Sequence, residues 1–223
     1  MATSGSADFE LAVDDYIEEA FERCGLEIRT GYDLKTAKRS LNLLFADWAN
    51  RGLNRWTITQ TTTTIVDGTT EYTLAADTID VLSAVIRENA GTASQTDTAI
   101  SRIGRDTYLN ISSKLTESRP TQFYIDRQVV PKIRLYPTPN ATYSLVYDRL
   151  TRIEDADSVT NTVDVPFRFY PCLTAGLAYY LSIKKAPDRI TVLKAIYEEE
   201  FDRAATEDRD RTSLKLLPYE RYI

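Results

Sequence analysis

The sequence has 223 residues, with 27 basic and 33 acidic side chains, a formal charge of -6 and no histidine. This is the composition of a globular protein, not of a disordered or collagen-like chain. The excess of acidic residues argues against a general electrostatic affinity for DNA. The absence of histidine excludes Ser-His-Asp and Cys-His catalysis and removes the commonest zinc ligand.

Other absences narrow the expected chemistry further. No apolar stretch approaches the roughly 18 residues that a membrane-spanning helix needs. The N-terminus has no basic region followed by an apolar one, so we expect no secretory signal and folding in a cytoplasm. The eight glycines have neither dinucleotide-fingerprint nor P-loop spacing, and no metal-ligand cluster is visible. We therefore predict no cofactor and no metal, with Cys24 and Cys172 as buried thiols rather than a disulfide.

Two amphipathic helices are predicted within residues 1–55. Apolar side chains recur at three- and four-residue steps through 9–24, starting with Phe9, and again through 34–48. The side-chain oxygen of Thr30 or of Asp33 can cap the second helix. We expect the two helices to form an antiparallel hairpin.

Residues 56–165 are predicted to form an inserted, β-rich region. An alternating, threonine-rich run begins at Trp56, and Asp67-Gly68 is the strongest short hairpin signal in the chain. The return strand of that hairpin is expected at 70–74. The further strands, the last three of them suiting a meander, are expected at 79–87, 122–127, 132–136 and 142–150.

A second helical pair is predicted over residues 166–210, and it completes a bundle with the N-terminal pair. Pro187 ends its first helix, and Asp188 caps the second. The expected fold is therefore α+β: a helical bundle built from the N- and C-terminal helix pairs, an inserted antiparallel β region, and an extended C-terminal arm over 211–223.

The last predicted helix is strongly acidic. Residues 188–210 carry eight acids against four bases. One interpretation is an ordinary solvated surface. The other is that this acidic face lies next to an anionic molecule to which it must not bind.

The C-terminal arm is unusual because chain ends are mostly polar and frayed. Residues 212–223 have no helical period, yet they are rich in leucine and tyrosine. Such an arm either folds back on its own domain or docks on a partner, and Pro218 fixes an extended path. The candidate anchors are Leu214, Leu216, Leu217, Pro218, Tyr219, Tyr222 and Ile223.

Several stretches of the chain resemble the head-to-tail adaptor proteins of tailed bacteriophages, which are also called connector, head-completion or tail tubular A-like proteins. The order of elements agrees as well: a helical pair, a β insertion, a helical pair and an extended tail. The stretches that carry the resemblance are YDL (32–34), WANRG (48–52), RPTQFY (119–124), LYPTP (135–139), FYPCL (169–173) and AGLAYYL (175–181).

The resemblance implies a structural role in the virion, at the junction of portal and tail. It implies a homo-oligomeric ring, usually of twelve copies, which binds the portal protein and a downstream nozzle or tail-tube protein while genome DNA passes through. Twelve copies would carry a formal charge of about -72, which repels phosphates and prevents lasting contacts with the passing DNA. The residues expected to line the channel are Glu198, Glu199 and Asp202, and the arm is expected to bind the portal.

Two alternative functions are also consistent with parts of the sequence. A tail-associated cell-wall glycosidase needs only two carboxylates, and Glu198, Glu199 or Glu200 with Asp202 would be the candidates. On one helix, however, these are typical surface acids, so we predict no enzyme activity. A tail spike or fibre usually shows long β repeats, and no repeat is visible here.

Overall fold

The computed structural model describes residue 5 and residues 9–52, 55–158 and 160–209. The helices are α1 (Val13–Arg23), α2 (Gly31–Arg51), α3 (Arg105–Leu109), α4 (Tyr170–Lys185) and α5 (Ile190–Glu207). The strands are β1 (Ile58–Ile65), β2 (Glu71–Thr73), β3 (Thr78–Glu88), β4 (Thr96–Arg102), β5 (Gln122–Asp126), β6 (Lys132–Tyr136) and β7 (Tyr143–Thr151). This architecture confirms the predicted α+β class, with helices at both ends of the chain.

The chain divides into two units. Residues 1–41 and 157–223 form the helical unit, and residues 42–156 form the sheet unit. The helical unit therefore brings together the two ends of the sequence, while the sheet unit is one continuous stretch inserted between them.

Helix α4 is the centre of the helical unit. It carries few charges, and both α1 and α5 pack against it. The prediction that α1 and α2 pack together as an antiparallel hairpin is therefore wrong, because α1 packs mainly against α4. The physical reason is that α4 is apolar or small on most sides, so it can bury two neighbours at once. Its buried residues are Cys172, Leu173, Thr174, Ala175, Gly176, Leu177, Ala178, Leu181 and Ser182.

The inward faces of α1 and α5 follow the predicted helical periodicity. On α5, Leu193, Tyr197 and Ala204 are buried. On α1, the apolar positions after the helix start are all buried, whereas Phe9 precedes the helix and is 68% exposed. The prediction that Phe9 belongs to this face is wrong because the helix begins only at Val13. The buried set is Val13, Tyr16, Ile17, Ala20 and Phe21.

Both cysteines are buried and neither forms a disulfide, as predicted. Cys24 follows the end of α1, and its thiol contacts the carbonyl oxygen of Ala178 on α4 at 3.3 Å. Burial raises the pKa of the Cys24 thiol, and the nearby positive charge of Arg189 opposes this shift only in part. A protonated, enclosed thiol packs as a small apolar side chain, so Cys24 contributes to the joint between α1 and α4.

Gly25 ends the first helix in a conformation that other residues rarely adopt. Its φ is 70°, and the backbone N–H groups of Gly25 and Leu26 donate to carbonyls in the last turn of α1. A Cβ at this position would lie 2.7 Å from the Arg189 guanidinium, which itself donates to the carbonyl oxygen of Arg23 at 3.0 Å. The turn therefore needs glycine both for its backbone angle and for the space that Arg189 occupies.

Asp33 links the start of α2 to the end of α4. Its carboxylate is buried and accepts hydrogen bonds from the backbone N–H groups of Arg29 and Thr30 at 3.2 and 3.1 Å. Its other oxygen accepts a hydrogen bond from the Lys185 ammonium. The Lys185 hydrogen bond, together with these N–H donors, lowers the pKa of Asp33 to about 2, although burial acts in the opposite direction.

We expect the Asp33→Asn variant to lose part of the protein's acid sensitivity. The folded-state pKa is depressed, so ionised Asp33 stabilises the fold above about pH 4, and this stabilisation is lost as the pH falls towards about 2. The free energy of unfolding in urea, measured between these two pH values, should therefore change less steeply for Asp33→Asn than for the unmodified chain. The exposed Asp188→Asn is the control and should leave the slope unchanged; equal slopes for all three proteins would contradict the prediction.

The sheet unit contains a seven-stranded sheet with the order β1-β7-β3-β4-β5-β6-β2. All neighbouring strands are antiparallel except β4 and β5, which are parallel. Strands β5, β6 and β7 lie within two residues of their predicted bounds. The predicted meander is wrong, however, because β7 pairs with β1 and β3 and not with β6.

The Asp67-Gly68 turn forms, but it does not make a hairpin. The N–H of Thr69 donates to the carbonyl oxygen of Val66 at 3.3 Å, and Gly68 has a φ of 72°. Beyond the turn, β1 pairs with β7, whereas β2 pairs with β6. The turn therefore sends the chain from one edge of the sheet to the other.

The core of the sheet unit is built from alternate residues of its strands. In β6, for example, Ile133 and Leu135 are buried while their neighbours along the strand are not. One side of the sheet thereby becomes continuously apolar. The core residues are Ile65, Leu74, Val81, Ala84, Ile86, Ile100, Phe123, Ile125, Ile133, Leu135, Leu145 and Tyr147.

The two edge strands of the sheet differ sharply. Strand β2 has three residues, and its Glu71 forms ion pairs with Lys132 and Arg134 at 2.6 and 2.9 Å. Strand β1 has eight residues with the sequence ITQTTTTI, which contains no charge, proline or glycine. Half of its residues are exposed. One edge of the sheet is thus short and charged, and the other is long and neutral.

Candidate functional site

The acidic residues singled out in the sequence lie on the outer part of α5. Glu199 and Asp202 are exposed, and Glu198 is half-buried. Because Leu193 and Tyr197 turn the opposite side of the helix inward, the three acids form part of the solvent-facing surface of the helical unit. The structure thus brings them together, within little more than one helical turn.

Arg203 neutralises part of this acidic surface. Its guanidinium forms ion pairs with Glu199 at 2.9 Å and with Glu200 at 3.0 Å, one turn earlier on the same helix. Both Arg203 and Glu199 are largely exposed, so the i,i+4 pair contributes only about 0.3–0.5 kcal/mol. Asp202 forms no ion pair with any residue that the structure describes. The surface is therefore acidic but less so than its composition suggests.

The same geometry bears on the glycosidase alternative. Glu199 and Glu200 share one arginine, and together with Asp202 they line an open depression of about 650 Å³ between α5 and the start of α4. Within residues 9–52, 55–158 and 160–209, no three acidic, cysteine or histidine side chains are grouped so as to hold a metal ion. On the surface of α5, these carboxylates can repel anions and attract cations.

An ion pair between a half-buried arginine and a buried aspartate anchors the far end of α5. Asp208 is buried directly after the helix, and the Nε of Arg168 donates to its Oδ1 at 3.1 Å while a second guanidinium nitrogen also contacts that oxygen. Arg168 lies just before α4, so this pair fixes the end of α5 to the start of α4. The chain therefore continues towards its C-terminus from a defined point.

An apolar groove lies beside the first half of α5. Val192 is 62% exposed and Ile196 is 41% exposed, one helical turn apart. Together with residues of α1 and α4 they line a groove of about 500 Å³. The lining residues are Arg23, Ala175, Asp188, Arg189, Val192, Leu193 and Ile196.

The sequence interpretation missed this groove, although a signal for it was present. Each inward residue of this half of α5 is preceded by a further aliphatic residue, Val192 before Leu193 and Ile196 before Tyr197. The apolar stripe is therefore wider than one inward-facing row, and its outer row needs a cover of its own.

The predicted anchors of the C-terminal arm, Leu214 to Ile223, lie outside the described residues. No helix in the described part of the chain combines the length and the apolar character needed to cross a bilayer.

Comparison with known proteins finds a matching family model. The model described as SU10 adaptor protein matches residues 8–217, which include the whole sheet unit and most of the helical unit. No curated protein matches the chain significantly.

Proposed function

The chain belongs to the SU10 adaptor protein family, a family of bacteriophage head-to-tail adaptors, and on that premise we propose that it forms a ring beneath the portal that joins the capsid to the tail. The observation that carries the proposal is the extent of the match, which covers the sheet unit and most of the helical unit. The partners are the portal protein on one side and a nozzle or tail-tube protein on the other. The site of action is the portal–tail junction of the virion.

In the proposed ring, twelve copies surround a channel through which the genome passes without specific binding. The acidic surface of α5 supports this role, because carboxylates such as Glu199 and Asp202 repel phosphates at short range. A channel lined by Lys and Arg would instead hold DNA through phosphate contacts, which dominate protein–DNA affinity. The role is structural and needs no catalytic group.

The proposal is tested directly by electron microscopy of the purified chain mixed with its portal. We expect a ring of twelve copies stacked on the portal, with its channel continuing the portal channel. A chain that stays separate from the portal, or that binds it as single copies, would overturn the proposal. Peptidoglycan zymography of the same preparation addresses the alternative, and clearing that is lost in Glu200→Gln would establish a glycosidase.

Reversing the charge of the acidic surface should slow DNA release. We expect Glu199→Lys with Asp202→Lys to leave assembly largely intact and to retard ejection by roughly tenfold or more, because the new ammonium groups contact phosphates. The delay should shrink as salt is raised, since salt screens these contacts. Ejection would be timed in assembled particles by the fluorescence of a DNA-binding dye.

The matched control for this experiment is Glu18→Lys with Glu22→Lys. These two exposed acids lie one turn apart on α1, so the change in net charge is the same. The control should release DNA at the normal rate. Equal delays in both variants, or an assembled ring with the acidic surface of α5 on its outside, would contradict the assignment of this surface to the channel.

A further inference from the structure

Two exposed apolar elements of the helical unit have no cover among the described residues. One is the groove beside α5, where Val192 is 62% and Ile196 is 41% exposed. The other is Phe9, which precedes α1 and is 68% exposed. A contact between the aromatic side chain and the groove would remove apolar surface of both from water, which is favourable.

Within one copy, Phe9 and the groove lie at opposite ends of α1. The N–H of Val13 donates to the carbonyl oxygen of Asn161 at 3.0 Å, and this backbone contact fixes the segment that carries Phe9 beside the start of the helix. The groove lies at the other end, where Arg23 forms one of its walls. The helix between them has 11 residues, which corresponds to about 16 Å. The aromatic ring and the groove of the same copy therefore do not meet.

Two different surfaces at opposite ends of one helix are what a head-to-tail contact between identical copies requires. Each copy offers its Phe9 to one neighbour and its groove to the other, so the same contact repeats from copy to copy. Such a series closes into a ring when the rotation between neighbours permits it. The arrangement in the helical unit is therefore suited to a second copy of this chain as the occupant of the groove.

Charge favours the same pair of surfaces. The groove is bordered by two arginines, Arg23 and Arg189, and by a single aspartate. Arg23 already has an acidic partner on α1, whereas Arg189 forms no ion pair with any residue that the structure describes. Glu10, the residue after Phe9, is exposed and likewise has no ion pair within the described part of the chain. Docking of Phe9 brings this carboxylate to the rim of the groove, where the Arg189 guanidinium can pair with it.

We propose that Phe9 of one copy fills the groove beside Val192 and Ile196 of the next copy, and that Glu10 pairs with Arg189 across this contact. An aromatic side chain that fills an apolar pocket, with polar groups at the rim, is typical of the strongest contact points in protein interfaces. The contact between copies depends only on the geometry of the helical unit. Its place as the side-to-side contact of the ring rests on the proposed function.

Disulfide trapping in the purified full-length chain, without portal, tests the contact. In Glu10→Cys with Asp188→Cys, which leaves Phe9 and the groove's aliphatic residues in place, mild oxidation should link chains into dimers, trimers and longer series. Glu10→Cys with Lys194→Cys is the matched control, because Lys194 is exposed on α5 but does not line the groove. We expect the first pair to link chains about tenfold faster or more, since docking raises the local concentration of one thiol near the other. The native cysteines are buried and do not compete.

Analytical ultracentrifugation gives an independent readout of self-association. Phe9→Asp and Ile196→Asp should each weaken the association between copies by about tenfold or more, because a carboxylate then replaces an apolar side chain that the contact buries. Leu109→Asp is the control, since Leu109 has the same exposed fraction as Phe9, 68%, but belongs to the sheet unit. It should leave the association unchanged, and circular dichroism checks that all three variants are folded.

Several results would each overturn the proposal: equal linking rates in the two cysteine pairs, bonds that stay within one chain, a series that stops at dimers, or unchanged association in Phe9→Asp. Neither experiment contains portal. Copies that link to one another but do not bind the portal would therefore refute the proposed function alone. A portal-bound ring in which the bond between Cys variants of Glu10 and Asp188 does not form would refute this contact alone.

Discussion

Deleting residues 212–223 should leave a folded chain that no longer joins portal-filled heads. Fully burying a leucine or isoleucine contributes roughly 1.5–3 kcal/mol, while ordering the arm costs roughly 1–2 kcal/mol for each backbone residue. The balance for one arm is narrow, so we expect the affinity to come from many arms that act together in a ring. The side chains expected to enter the portal groove are Leu214, Leu216, Leu217, Tyr219, Tyr222 and Ile223.

The truncation would be assayed by adding purified chain to tail-less heads and measuring bound protein by sedimentation. A chain that lacks residues 1–8 is the control for shortening as such, and it should bind normally. Normal affinity of the truncated chain would refute the assignment of the arm to the portal.

Leu177→Ala should be among the most destabilising single changes in the helical unit. Leu177 is completely buried in α4, against which both α1 and α5 pack. Removing its side chain loses the transfer free energy of the deleted carbon atoms and leaves a cavity, so we expect a loss of about 2–5 kcal/mol in the free energy of unfolding. A loss of that size is a large part of the total stability of a typical domain.

The matched control is Ile183→Ala on the same helix, where the side chain is 52% exposed. The free energy of unfolding of this variant should fall by less than about 1 kcal/mol, because a half-exposed side chain buries little apolar surface on folding. Urea denaturation followed by circular dichroism measures both values. If the two variants lost similar stability, α4 would not be the centre of the helical core.

Most strands and the four long helices were readable from the sequence, but strand β4, the short helix α3 and the pairing of the strands were not. Alternation and the surrounding prolines located β5, β6 and β7 within two residues, because these signals act on each strand separately. Strand β1, by contrast, pairs with a strand more than 75 residues later, for example Ile58 with Leu150. The Asp67-Gly68 signal describes only the turn itself. The pairing of all eight residues of β1 with β7 outweighs the local preference for a hairpin.

The same distinction holds for the candidate sites. The acidic surface of α5 could be predicted because helical geometry alone determines which residues share a face. The groove beside Val192 could not be placed, since its depth depends on how α1 and α4 pack against the helix. Likewise, the sequence offered Asp33, besides Thr30, as a cap for α2 but gave no sign of its pairing with Lys185, which lies about 150 residues further along the chain.

The neutral edge strand β1 gives the free protein a property that composition does not reveal. Proteins commonly protect exposed sheet edges with charges, prolines or very short strands, and β2 has such protection. The eight residues of β1 have none of it and can hydrogen-bond to any extended chain that meets them. Copies that accumulate without being assembled are therefore exposed to strand-to-strand aggregation. This side reaction becomes faster with concentration, so its yield depends on the balance between synthesis and incorporation.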